Sequence, residues 1–157
     1  MAKYITPTLT IISNKYTATT NPGPNSSPLA ISVTDLLDVT RVDSRIVTLT
    51  TTDAVLLNWA SYTSGTTAGT DGAFVYLRNL TDQSSFTTSS DVYIAHATTG
   101  DGELEEGGGG QTFRLMTLKP GEFAWFPWDM EQSIWYDASV ANDDALEVIV
   151  FVRTGTA

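Results

Sequence analysis

The chain is predicted to be all-β, a sandwich or barrel, on three observations. Threonine and serine are abundant, at 25 and 13 residues, and β-branched Thr favours extended backbone. Apolar and polar residues alternate with period two in one segment after another. The segments are separated by short clusters of Gly, Pro, Asn, Asp and Ser, with no helical periodicity between them. At 157 residues the chain has the size of one domain and can bury about two-thirds of its unfolded surface.

Taken in order, strands are expected near 8–20, 29–34, 45–52, 54–61, 73–80, 91–98, 111–118, 123–128, 133–139 and 145–154. Residues 1–28 are Thr/Ser-rich without core patterning and are read as an extended N-terminal arm, with the sandwich in 29–157. Thr34 to Asp38 is the one stretch that invites a helical turn, with Thr34 as N-cap. In 54–61, Val55, Leu57 and Trp59 alternate onto one face and are expected in the core, as are Val75 with Leu77, and Val92 with Ile94. Lys119-Pro120-Gly121-Glu122 reads as a type II turn: Pro120 fixes φ at the second position and Gly121 supplies the positive φ at the third. A hairpin of 111–118 with 123–128 follows from that turn.

Two strands break the rule that a sandwich strand is apolar on one face. Phe123-Ala124-Trp125-Phe126-Pro127-Trp128 carries large aromatics on both faces. The last strand has Leu146, Val148, Val150 and Val152 on one side and Ile149 and Phe151 on the other. A two-layer sandwich covers one face of each strand, so the second needs a lid: another subunit, a covering loop or arm, or a ligand. Phe123, Trp125, Phe126, Trp128, Ile149 and Phe151 are therefore the candidate interface residues.

Composition argues against several functions. With 18 acidic and 8 basic residues the formal charge is −10, which repels nucleic acid and anionic bilayers. No apolar run approaches the roughly 20 residues of a membrane span, and Met1 to Pro7 is not followed by the apolar stretch of a secretory signal. Without cysteine there is no disulfide, thiolate metal site or cysteine nucleophile. His96 is the single histidine, too few for a multi-His metal centre or a Ser-His triad, and it reads as a strand-end residue. Asp101, Glu103, Glu105 and Glu106 precede Gly107–Gly110; the spacing departs from an EF-hand, and a solvated acidic loop is favoured over Ca²⁺ binding. Trp125, Trp128 and Trp135 among Glu122, Asp129 and Glu131 suggest either core or interface aromatics or a sugar-stacking site. No residue set stands out as catalytic, and neither metal nor cofactor is expected.

The order of motifs adds a resemblance. Ala30 to Val42 is followed by Phe74-Val75-Tyr76-Leu77-Arg78-Asn79-Leu80, by Asp91-Val92-Tyr93-Ile94-Ala95, by Phe113 to Phe126 with Leu118-Lys119-Pro120-Gly121-Glu122-Phe123 at its centre, and by Leu146-Glu147-Val148-Ile149-Val150. In this the chain resembles small β-sandwich virion proteins of tailed bacteriophages, including marine and cyanobacterial phages, among which capsid decoration or cement proteins are common. The resemblance implies a jelly-roll-like sandwich, frequently a homotrimer, made in the host cytoplasm and seated on the outer capsid surface. Its partners would be further copies of itself and the major capsid protein, with no cofactor, nucleic acid or membrane. The alternative is a carbohydrate-binding or receptor-binding module of a phage tail or fibre.

Overall fold

The structure, a computed structural model, describes residues 3–12, 30–34, 37–62, 72–81, 90–96, 113–140 and 145–153. The chain divides into two compact units, Met1–Val39 and Thr40–Ala157.

In the first unit, β1 (Lys3–Ile5) pairs antiparallel with β4 (Leu37–Val39), and β2 (Thr8–Ile12) with β3 (Ala30–Thr34). Both strands that precede residue 28 thus find partners beyond it. Of the helical turn expected over Thr34 to Asp38, the described residues are extended: Thr34 closes β3, and Leu37 to Val39 run against Ile5 to Lys3, while 35 and 36 lie outside the described residues. Ladder hydrogen bonds to a second strand outweigh what one helical turn with a single cap could gain.

Among the described residues the second unit holds eight strands: β5 (Arg41–Thr48), β6 (Ala54–Leu57), β7 (Gly72–Asn79), β8 (Val92–His96), β9 (Phe113–Leu118), β10 (Phe123–Trp128), β11 (Ile134–Ala138) and β12 (Ala145–Arg153). They form two antiparallel four-stranded sheets, ordered β10-β7-β12-β5 and β6-β11-β8-β9. Counted along this unit, the first sheet joins the sixth, third, eighth and first strands, and the second joins the second, seventh, fourth and fifth. That interleaving is the jelly roll, so the all-β sandwich expectation holds.

The inner faces make one core. Val75, Leu77, Val148 and Val150 of the first sheet and Val92, Ile94 and Ile134 of the second are all at most 1% exposed. Each such side chain contributes about 1.5–3 kcal/mol, an upper bound because the unfolded chain is already partly collapsed.

Three sequence expectations are corrected here. Leu57 is buried as expected, but Val55 and Trp59 are 43% and 45% exposed, while Leu56 is 2% exposed. The cause is a register shift: Ile134 faces Leu57 and the next residue, Trp135, faces Val55. Leu56 is the extra residue of a β-bulge, so adjacent leucines both turn inward. The strand then stops at Leu57, because the Asn58 side chain accepts a hydrogen bond from the Ala60 amide and caps a 3-10 turn, Trp59–Ser61.

The second correction concerns Lys119 to Glu122. Its geometry is as expected, with Gly121 at φ 77 and the Glu122 amide donating to the Lys119 carbonyl at 2.9 Å. It does not close a hairpin, however. β9 pairs with β8, β10 pairs with β7, and the turn carries the chain from one sheet to the other. Main-chain bonds from Gly121 to the Asn79 carbonyl and from Asn79 to the Glu122 carbonyl, both 3.0 Å, dock the turn on the end of β7. The third is β5, which begins at Arg41, not near residue 45.

Met130, in the turn between β10 and β11, is 1% exposed with φ 60, a left-handed backbone that costs an L-residue about 1–2 kcal/mol. Burying its side chain offsets that strain. Met130→Ala is expected to lose about 2–5 kcal/mol, the cavity cost with the strain retained. Met130→Gly should be no worse, reversing the usual ranking of glycine below alanine. Urea unfolding of the two variants checks this; a glycine variant about 1 kcal/mol less stable than the alanine one would refute the strain argument.

Candidate functional site

The period-two alternation that builds the core also builds a second surface on the outside of the β10-β7-β12-β5 sheet. Cross-strand pairing sets Phe123 beside Arg78, Trp125 beside Tyr76, Ile149 beside Tyr76, and Phe151 beside Phe74. The rings touch. Trp125 lies 5.3 Å from Phe74 between centroids, nearly parallel at 14°, and 5.2 Å from Phe151; Phe123 stacks on Tyr76 at 6.2 Å. Val42 and Ile46 extend the apolar surface onto β5, where they face Phe151 and Glu147. Phe123, Val42 and Ile46 are 58%, 47% and 69% exposed, well above what a sandwich needs to leave in water.

The charged side chains of this face, among the described residues, are Arg78 and Glu147, directly paired in register, and Arg153, whose guanidinium lies 5.5 Å over the Phe74 ring. The face therefore carries both signs and no excess of acid, although the chain as a whole is at −10.

Of the six residues nominated from sequence, Phe123, Trp125, Ile149 and Phe151 come together here. Phe126 and Trp128 alternate to the inner side of β10, where Phe126 packs against the core and Trp128 is 5% exposed. The Trp128 ring meets Tyr62 edge-on at 5.3 Å and its Nε1 donates to the Gln132 carbonyl at 2.9 Å. Phe74 and Tyr76 were not nominated, yet both belong to the face. Their signal was present in Phe74-Val75-Tyr76-Leu77, a run apolar at every position.

The tryptophan cluster does not assemble. Trp125 is on the outside of the first sheet, Trp128 is inside, and Trp135 belongs to the second sheet, between the inward Ile134 and Tyr136. His96 ends β8, half-buried and opposite Ile134. Among the described residues no group of three or more His, Asp or Glu is placed to hold a metal ion. The acidic glycine-rich stretch 101–110 lies outside the described residues.

A second feature was not anticipated. β5 is an edge strand of its sheet and β6 an edge strand of the other. Between them opens a cleft of about 620 Å³, lined by Arg41, Asp43, Arg45, Tyr62 and Tyr136 among others. Burial pushes the phenol pKa of Tyr62 up, opposed by the nearby Arg45 and reinforced by the negative charge of Asp43. Burial raises that of Tyr136 as well, again against Arg45. Both tyrosines thus remain neutral donors across the ordinary pH range.

No family model and no curated protein matches this chain. A solved structure from Bacillus endospore appendages, described as a novel family of disulfide-linked pili, aligns with 74% of this chain and 87% of its own, at 13% identity and a TM-score of 0.44. The present sequence has no cysteine and so makes no disulfide.

Proposed function

We propose that this chain is a non-enzymatic structural subunit that associates with further copies of itself and docks on a larger protein shell, the shell being the outer capsid surface of a tailed-phage particle. The observation that carries the first half is the contiguous aromatic face of the β10-β7-β12-β5 sheet, with Phe123 and Ile46 well exposed. The second half rests on the sequence resemblance to decoration proteins.

A second copy is the occupant that fits the face. Copies of a −10 chain repel one another, and they approach at least cost where acid is not in excess. On this face Arg78 and Arg153 outnumber Glu147, so aromatic surface and mixed charge suit a contact between copies, repeated around a closed ring. A closed oligomer would then bind the shell through several subunits at once. A ligand that binds only the assembled shell stabilises it by mass action, and multiple attachment points multiply that effect.

Two measurements test this reading. Light scattering of the purified protein should give the mass of three 16.9 kDa chains. Phage particles stripped of the protein should regain it, and should withstand higher temperature or lower salt afterwards. A monomer that fails to bind stripped shells would overturn the proposal.

A further inference from the structure

We propose that the cleft between β5 and β6 binds an acidic sugar unit, a pyranose ring bearing a carboxylate. The argument starts from an inversion of the core pattern. Val148, Val150 and Val152 of β12 face inward, at 1%, 1% and 5% exposure. Their partners on β5 are Arg45, Asp43 and Arg41. An edge strand therefore presents three charged residues on its inward side, where its neighbour presents valines, and its apolar Val42 and Ile46 face outward.

Inward charge on an edge strand can serve to discourage pairing with another sheet edge. Such a guard needs one charge and no partner on the facing sheet. Here the charges meet a built surface. Arg41 pairs with Asp43 at 3.2 Å and lies over the Tyr62 ring at 4.7 Å. Tyr136, from the opposite sheet, donates to the Thr48 carbonyl at 3.2 Å. Asp43 is thus paired with Arg41. Arg45 donates from Nη2 to the Leu56 carbonyl, which occupies one of its five N–H groups. Among the described residues no carboxylate stands within ion-pair distance of Arg45.

The cleft consequently has a net positive charge in a strongly acidic chain, with one guanidinium free to take a carboxylate in bidentate fashion. Its size and remaining lining narrow the ligand. About 620 Å³ is far more than a bare anion fills and lies within the range of small-molecule pockets. The lining joins apolar Val55 and Leu56 and the tyrosine rings to the polar Asn58 and Ser61. Apolar surface for a ring face, amide and hydroxyl groups for ring hydroxyls, and a cation for a carboxylate together describe a uronic acid. Neither a neutral sugar nor an inorganic anion uses all three.

Calorimetric or NMR titration of the full chain with glucuronate tests the assignment, with glucose, acetate and inorganic phosphate as comparisons at constant ionic strength. Glucuronate should bind in the range of about 0.1–1 mM, with glucose and acetate at least about tenfold weaker. Amide shifts should centre on Tyr62 and Asn58. Arg45→Gln should weaken glucuronate at least about tenfold while leaving glucose unchanged. Should that variant fail to fold, Ser61→Trp at the exposed rim should block binding sterically with the fold intact. No binding at 10 mM, equal affinity for glucose, phosphate binding as tight as glucuronate, or full affinity in either variant would each overturn the proposal. None of these outcomes bears on the aromatic face.

Discussion

Asn79→Leu is expected to destabilise the sandwich by about 4 kcal/mol, the largest stability loss foreseen for a single polar residue of this chain. Asn79 is fully buried at the end of β7. Its Nδ2 donates to the Ser90 carbonyl at 2.7 Å and to the Leu118 carbonyl at 3.0 Å; its Oδ1 accepts from the Thr81 amide at 3.0 Å and hydroxyl at 2.6 Å. One side chain thereby joins the end of β7 to the entry of β8 and the exit of β9, across both sheets. Leucine keeps the same branched outline of four heavy atoms, so most of the penalty comes from the partners. Each buried group left without a hydrogen bond costs about 1–3 kcal/mol, and Ser90 and Thr81, 0% and 6% exposed, have little access to water. Because whole-domain stabilities are about 5–15 kcal/mol, about 4 kcal/mol should lower Tm by about 8–16 °C.

Thr81→Val is the comparison. It removes one side-chain bond and should cost about 1 kcal/mol. The main-chain bonds between Asn79 and both Gly121 and Glu122 survive either substitution, so the turn between β9 and β10 stays docked and the denaturant slope should not change. An Asn79→Leu protein within 1 kcal/mol of wild type would show that the network is incidental.

The same residues explain what the sequence could and could not reveal. Period-two alternation gave β7, β8 and β12 almost to the residue, because a strand in the middle of a sandwich sheet must alternate. It misled at Leu56 and Leu57, where the bulge exists only in relation to β11. At β5 it assigns no face. The inward positions there are Arg41, Asp43, Arg45 and Val47, so three of the four are charged, while apolar Val42 and Ile46 face out. A pattern has a period but no sign. The type II turn was legible from Pro120 and Gly121, which set local φ, whereas its strand partners were not. They are decided by Asn79, some 40 residues earlier in the chain. The aromatic face was legible as an excess of apolar surface on Phe123 to Trp128 and on β12. Which half of it points outward was not, since Trp125 and Trp128 fit equally well on either side until the core assigns Trp128 a place beside Tyr62.

Converting the outer face from aromatic to polar should separate assembly from folding. With Phe123→Ser and Trp125→Ser together, the oligomer is expected to dissociate and its Kd to rise about a thousandfold, since two central aromatic anchors are each worth about 2 kcal/mol or more. The isolated subunit must also weaken, because Trp125 stacks on Phe74 and Phe151, and Phe123 on Tyr76. At about 0.5–1.5 kcal/mol for each of the three ring pairs the fold loses about 1.5–4.5 kcal/mol, which a domain of ordinary stability can survive. Loss of assembly in that variant alone would be open to the objection that the sheet has loosened. Ile46→Lys answers it. Ile46 is 69% exposed on the same face of β5, so its replacement should change stability by no more than about 0.5 kcal/mol. It places a cation where a second copy would bring apolar surface, and the light-scattering mass should fall with Tm unchanged. If both variants keep the wild-type mass, the aromatic face is not the contact between copies. If only the double variant dissociates, the contact is confined to β10 and β7, and β5 is left free at the margin.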